Sequence, residues 1–181
     1  MNENEGYTIG GGGRALMLLH GLGQSPGALR PLAEELAGEG LTACVPALFE
    51  KGAHWSEWLR AARSAYTGLM ETHPRVSLCA LGESGALALL LAEEYAPERL
   101  LLVPDGRQRA DAAAWSGLRA LDRRARQGLF SLDVRPRILL PEGANIQALR
   151  RARRLSRRLG GCPIGEYRKG ALFAALRAAG N

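Results

Sequence analysis

Short apolar runs without charged residues alternate with helical hydrophobic patterns along this chain of 181 residues. The clearest runs, at 15–19, 76–81 and 100–103, have the composition of strands buried on both faces. Weaker runs predict further strands at 41–45, 138–140 and 163–167. Helical spacing predicts helices over 26–37, 55–71, 85–95, 110–127, 146–159 and 171–179. Since parallel strands need crossover connections, the alternation predicts a three-layer α/β/α sandwich with a mainly parallel sheet.

The length and composition favour a single domain over residues 1–181, because 46% of the residues are hydrophobic and suffice for one core. The three cysteines lack metal-ligand spacing and no cofactor motif is complete, so we predict neither a metal nor a cofactor. The first thirteen residues are acidic and then glycine-rich, and no apolar run is long enough to span a membrane. These features predict a cytoplasmic protein that does not bind membranes.

The chain carries a net charge of +6, and only two of its 24 basic residues are lysines. A basic protein can attract nucleic acid or an anionic surface. Six arginines occupy the polar face of the helix predicted over 146–159, and the others are spread over many segments. A solvated helix face explains such a run, so we expect no nucleic-acid partner.

The run from Gly82 to Ala86 lies between a buried strand and a helical pattern. This is the context of a nucleophile elbow, in which small neighbours let the chain turn sharply and expose a serine hydroxyl. Ser84 is thus the candidate nucleophile. The N–H of Gly85, at the start of the helix, is a candidate donor to a developing oxyanion. The alternative is a small-residue turn whose serine caps the helix.

A second motif, His20-Gly21-Leu22-Gly23, follows the first buried strand, where the N–H of Leu22 could donate to the same oxyanion. Together with the elbow, this motif resembles the α/β-hydrolase superfamily, and most closely its small bacterial carboxylesterases and monoacylglycerol lipases. The resemblance covers residues 13–105 and rests on four segments in the family's order: Leu18–Gly21, Ala28–Ala33, the strand that ends at Pro46, and Leu81–Ser84.

The resemblance implies a small ester or thioester as substrate and a structural role for His20 within the oxyanion loop. It also implies a minimal hydrolase fold, because the stretch between Asp105 and Arg137 has room for about one helix and not for a large cap domain. Phe49, Trp55 and Trp58 could wall an open pocket, although both tryptophans also fit the core stripe of their helix.

The superfamily places an acid after its next-to-last strand and a histidine after its last, because a serine needs an oriented base. This chain has an Ala-Asn pair at 144–145 and Ala171 at those places, so its triad is degenerate. His73 should lie at the amino end of the sheet, which leaves His54 as the candidate base and Asp105 as the candidate acid. A solvent-facing histidine and an Asp-Gly turn are the plainer interpretations of these two residues.

Two functions are therefore open. In the first, the protein is a carboxylesterase-like serine hydrolase that acts on a small ester or thioester through Ser84. In the second, it is a pseudo-hydrolase that binds a ligand or a protein partner in the former active-site cleft. The elbow and oxyanion loop favour the first function, and the empty acid and histidine positions favour the second. The sequence leaves open whether the protein is an enzyme, and its oligomeric state.

Overall fold

The structure, a computed structural model, describes residues 4–49, 53–104, 119–120, 123–125 and 132–167. Within these residues the strands are β1 (Tyr7–Ile9), β2 (Arg14–Leu19), β3 (Thr42–Val45), β4 (Arg75–Leu81), β5 (Leu100–Val103), β6 (Arg137–Pro141) and β7 (Ile164–Tyr167). The longer helices are α1 (Arg30–Gly38), α2 (Trp55–Thr72), α3 (Gly85–Tyr95) and α4 (Ile146–Arg158). Short 3₁₀ turns over Pro26–Leu29 and Gly82–Ser84 precede α1 and α3.

The strands form one seven-stranded sheet in the order β1-β3-β2-β4-β5-β6-β7. Every neighbouring pair is parallel except β1 and β3, which are antiparallel. The mainly parallel sheet predicted from the sequence is therefore confirmed. Strand β1 was not predicted, because three residues ahead of a glycine run carry too short a pattern to be distinguished from a turn.

Helices cover both faces of the sheet and bury its apolar side chains. On one face, Met17 and Leu78 of the central strands pack with Trp58 and Tyr66 of α2 and with the apolar residues of α3 and α4. On the other face, Leu18 and neighbouring strand residues pack against α1. The core role expected for Trp58 is confirmed, and the three layers agree with the predicted sandwich.

The predicted strand at 100–103 has the observed bounds, and the other predicted strands differ by one residue at one or both ends. The predicted helix over 110–127 lies mostly outside the described residues, and the one over 171–179 lies wholly outside them. Among the described helices, none has the length and apolar character needed to cross a membrane.

Candidate active site

The two segments predicted to form an active site leave the sheet at adjacent positions. Strands β2 and β4 are parallel neighbours in register, with Leu19 of β2 beside Ala80 of β4. The loop that begins at His20 and the turn that begins at Gly82 therefore lie next to each other. They lie at the carboxyl ends of the parallel strands, the edge where ligands of such sheets bind. We call this edge the carboxyl rim.

A glycine, and not the serine, occupies the sharpest point of the turn after β4. Gly82 has a φ of +61°, in the left-handed region. Ser84 has a φ of −64° and a ψ of −9°, which are helical values. A nucleophile elbow holds its nucleophile at the strained point of the turn, so that the side chain projects from the top of the sheet. In this chain that point carries no side chain.

The hydroxyl of Ser84 is turned back toward the sheet and is completely buried. Its Oγ lies 2.9 Å from the carbonyl oxygen of Leu19 and 2.8 Å from that of Leu81, to which it donates. The hydroxyl has one proton, which the two carbonyls share. The expectation that this turn exposes the hydroxyl is wrong for this structure. Ser84 follows the point of the turn by two residues, so its side chain points to the ends of β2 and β4.

The N–H of Gly85 is also engaged. It donates to the carbonyl oxygens of Gly82 and Glu83 and so closes the 3₁₀ turn. This N–H is not free to bind an oxyanion in the observed arrangement. Leu22, the other predicted donor, lies half-buried in a turn closed by a hydrogen bond from the N–H of Gln24 to the carbonyl of Gly21.

His20 is buried and joins two loops of the carboxyl rim. Its Nδ1 lies 3.1 Å from the carbonyl oxygen of Gly21, and its Nε2 accepts a hydrogen bond of 3.1 Å from the N–H of Leu48. These partners require a proton on Nδ1 and none on Nε2. Burial lowers the pKa of His20 below its ordinary value of 6.5, which keeps the ring neutral. The geometry fits the structural role that the resemblance implied.

His54, the candidate base, is the N-cap of α2. Its Nδ1 accepts from the N–H of Ser56 at 3.4 Å, while its own N–H donates to Oε2 of Glu57 at 2.8 Å. Its Nδ1 also lies 2.9 Å from the Ser56 hydroxyl, and the residue is exposed. The structure therefore gives His54 a capping role, and no described contact joins it to Ser84.

Among the described residues, His73 and Asn145 give no base or acid at the rim. His73 lies at the amino end of the sheet, as predicted, where its Nε2 is 3.0 Å from Oγ1 of Thr42. Asn145, at the expected acid position, caps α4 by accepting from the N–H of Ala148 at 2.9 Å. Asp105 and Ala171 lie outside the described residues.

An aromatic cluster lies beside the rim. The ring of Phe49 contacts His20 edge-on at 5.6 Å and Trp58 at 4.9 Å between centroids. Phe49 also has a φ of +58°, which is uncommon for a bulky residue. A cavity of about 240 Å³ lies next to this cluster and is lined mainly by apolar side chains of the loop after β3 and the first half of α2. The expected role of Phe49 as a pocket wall agrees with this placement.

The described residues contain no group of three or more histidine, cysteine or acidic side chains that could hold a metal ion. The three cysteines are buried and unpaired. Burial raises the pKa of the Cys79 thiol to about 12, so this thiol stays protonated and unreactive.

The sequence does contain a signal for the position of Gly82, which an elbow centred on Ser84 leaves unused. A nucleophile elbow has small residues two places before and two places after the nucleophile. Around Gly82 these are Ala80 and Ser84, with Gly85 following. Centred on Ser84, the later small position falls on Ala86. The small-residue pattern therefore fits an elbow centred on Gly82 at least as well.

No protein-family profile matches the chain. A thermostable monoacylglycerol lipase from Bacillus sp. (strain H-257) is 31% identical over 97 residues, which cover 49% of this chain. The matched part spans only 38% of the length of that lipase. This likeness therefore concerns about half of the chain and a smaller share of the enzyme.

Solved structures match over a larger share of the chain. A carboxylesterase of Nitrososphaera gargenis superposes with a TM-score of 0.71 at 9% identity, over 96% of this chain and 93% of the other. A metagenome-derived lipolytic enzyme, LipS or LipT, superposes with a TM-score of 0.68 at 16% identity, over 92% of this chain and 86% of the other. The monoacylglycerol lipase of Paleococcus ferrophilus superposes with a TM-score of 0.66 at 14% identity, over 90% of this chain and 88% of the other. At such identities the likeness is one of fold.

Proposed function

Since this chain has the α/β-hydrolase fold, we propose that it binds a small ester or thioester at the carboxyl rim without forming an acyl intermediate on Ser84. One observation carries the proposal. The point of the elbow, where a nucleophile would stand, is Gly82, while the hydroxyl of Ser84 is buried on two backbone carbonyls. In this proposal the protein is an esterase-like pseudo-hydrolase.

The chemistry of acyl transfer supports this proposal. A serine attacks a carbonyl only if its hydroxyl reaches the substrate and a base removes its proton. The two oxygens that accept from Ser84 are amide carbonyls, which are far too weakly basic to take that proton. Both ring nitrogens of His20 are engaged by backbone groups, and His54 caps a helix.

The cavity beside Phe49 supports a small acyl ligand. Its volume of about 240 Å³ suits a short apolar chain, and Leu48, Phe49 and Trp58 line it. Glu83 lies half-buried in the turn directly after Gly82. A carboxylate there disfavours an anionic ligand and favours an uncharged ester over a free fatty acid.

A second candidate function is hydrolysis through Ser84. The comparisons favour it, because the similar proteins include carboxylesterases and monoacylglycerol lipases. It requires Ser84 to leave both carbonyls and point out of the sheet, and it requires a base that the described residues do not supply. It is therefore a proposal that needs a conformational change.

Three measurements separate the two functions. They are labelling with a fluorophosphonate probe, turnover of a short-chain nitrophenyl ester, and calorimetric binding of monobutyrin. We expect the wild type to bind monobutyrin and to show no more labelling or turnover than Ser84→Ala. Labelling or turnover that Ser84→Ala abolishes would establish the second function. Absence of both binding and turnover would overturn both proposals.

A further inference from the structure

The positive charge of the chain is concentrated on helix α4. This helix contains no acidic residue and six arginines, which are Arg150, Arg151, Arg153, Arg154, Arg157 and Arg158. The remaining 18 basic residues equal the 18 acidic residues in number, so α4 accounts for the whole net charge of +6. The rest of the chain is neutral on balance.

Five of the six arginines of α4 are exposed to solvent, because the opposite side of the helix packs against the core. Ala148, Ala152 and Ser156 are buried. The hydroxyl of Ser156 also donates to the carbonyl of Cys162, which ties α4 to the segment before β7. At 3.6 residues per turn, the exposed residues lie on the other side of the helix. We call these exposed residues the arginine face: Arg150, Arg153, Arg154, Arg157 and Arg158.

Five arginines on other described elements have an acidic partner, and those of the arginine face do not. Arg14, Arg30, Arg60, Arg63 and Arg75 each form an ion pair with a glutamate. Within the described part of the chain, no residue of the arginine face forms one. An arginine-rich composition alone does not produce this contrast, since α1 and α2 combine their arginines with glutamates.

The arrangement also leaves like charges next to each other. Arg150 and Arg154, and likewise Arg153 and Arg157, are four residues apart and face the same side. The arginines in the last turn interact favourably with the negative end of the helix dipole, which offsets part of the repulsion between them. The arginines earlier in the helix have no such offset. A bound polyanion would relieve this repulsion.

We propose that the arginine face of α4 binds the phosphate backbone of a nucleic acid. The thirteen residues of α4 extend over about 20 Å, a length over which one strand of a duplex presents several phosphates. Arginine binds phosphate oxygens with a planar fork of donors, which makes it well suited to this contact. The contact reads the backbone, and so it does not depend on base sequence.

An anionic membrane is the less favoured partner. An interfacial helix inserts its apolar face into lipid, but the apolar face of α4 is buried against the sheet. Among the described residues, the exposed large apolar side chains are Met70, Ile146 and Ile164. Of these, only Ile146 belongs to α4. This proposal reverses the expectation from the sequence, and it is independent of the carboxyl rim.

The test compares two triple variants of the whole chain that carry the same net charge. Arg150→Gln/Arg153→Gln/Arg157→Gln alters the arginine face, and Arg14→Gln/Arg60→Gln/Arg75→Gln alters paired arginines elsewhere. Binding to a fluorescein-labelled duplex DNA is measured by anisotropy over a series of salt concentrations. Circular dichroism checks that each variant is folded.

We expect the wild type and the paired-arginine variant to bind the duplex, with an affinity that falls steeply with salt. The arginine-face variant should lose at least tenfold in affinity, and its slope of log K against log salt should be shallower by about 2 to 3. Equal losses in both variants would show a general charge effect and overturn the proposal. Binding to vesicles of phosphatidylcholine and phosphatidylserine in preference to DNA would also overturn it, as would no binding to the duplex.

Discussion

At the scale of single residues, Gly82 and Ser84 have different roles in the turn after β4. Gly82 adopts the positive φ that the turn requires, which a residue without Cβ does at little cost. Ser84 lies two residues further on and joins the ends of two neighbouring strands through its hydroxyl. A serine that resembles a nucleophile in the sequence is thus a structural clamp in the fold.

The clamp predicts a loss of stability when the hydroxyl is removed. Ser84→Ala deletes a fully buried donor and leaves the carbonyls of Leu19 and Leu81 without it, so the free energy of unfolding should fall by about 1 kcal/mol. Urea denaturation measures this change. The matched control is Ser64→Ala on the exposed side of α2, which should have no effect. Unchanged stability in Ser84→Ala would contradict the clamp.

At the scale of elements, helix caps explain the candidate base His54 and the residue at the expected acid position, Asn145. His54 caps α2, with Glu57 completing a capping box. Asn145 caps α4, where the superfamily would have its acid. Both residues stand at the start of a helix that follows a strand, which is also where catalytic loops lie. Position along the chain therefore does not separate a cap from a catalytic group.

The cap of α4 can be tested by Asn145→Ala. This change removes the side-chain oxygen that accepts from the N–H of Ala148, and it should lower the free energy of unfolding by about 1 kcal/mol. Chemical denaturation gives the value. Gln147→Ala, at an exposed position in the first turn, is the control and should leave stability unchanged. If Asn145→Ala were as stable as this control, the capping role would be wrong.

At the scale of the whole molecule, His20 links segments that are distant in the sequence. It joins the loop after β2 to Leu48, in the loop after β3, and it touches the ring of Phe49. Strand β3 lies next to β2 in the sheet, so these loops meet at the carboxyl rim. A protonated ring could not accept from the N–H of Leu48, because both of its nitrogens would then be donors.

This link predicts a pH dependence of global stability. Burial holds the folded pKa of His20 below 6.5, so the unfolded chain takes up the proton first as the pH falls. The stability that His20 contributes is complete above pH 6.5 and is lost as the pH falls from there toward the lower folded pKa. Urea unfolding at a series of pH values from about 7.5 to about 5 measures the decline in the free energy of unfolding. The ionic strength is held constant so that only the pH changes.

Two variants show whether His20 causes this decline. His20→Leu should be less stable than the wild type at neutral pH by about 1 to 3 kcal/mol, because the N–H of Leu48 loses its acceptor. It should also show a smaller decline on acidification. His54→Asn keeps a good N-cap at an exposed position and should retain the wild-type decline. An equal decline in His20→Leu and wild type would exclude His20 as the cause.

Much of the architecture was predictable because it depends on local patterns. Runs such as Leu100–Val103 are short and wholly apolar, which favours a strand buried on both faces. The amphipathic spacing of α2 and α4 identifies the side of each helix that is buried. Strand β1 was missed because its three residues form an edge strand that only pairing with β3 stabilises. The active-site prediction was less accurate, because side-chain direction at a turn depends on φ and ψ values that composition does not reveal.

The sequence by itself determined the alternation of strands and helices, the mainly parallel sheet, and the absence of any histidine after His73. Hydrophobic periodicity and residue identity suffice for these conclusions, since burial acts on each element separately. Only the tertiary structure decided that Ser84 faces the carbonyl of Leu19, 65 residues earlier in the chain, and that Gly82 stands at the point of the elbow. That outcome depends on the register of β2 against β4 and on the backbone path between β4 and α3, which neighbouring residues alone do not specify.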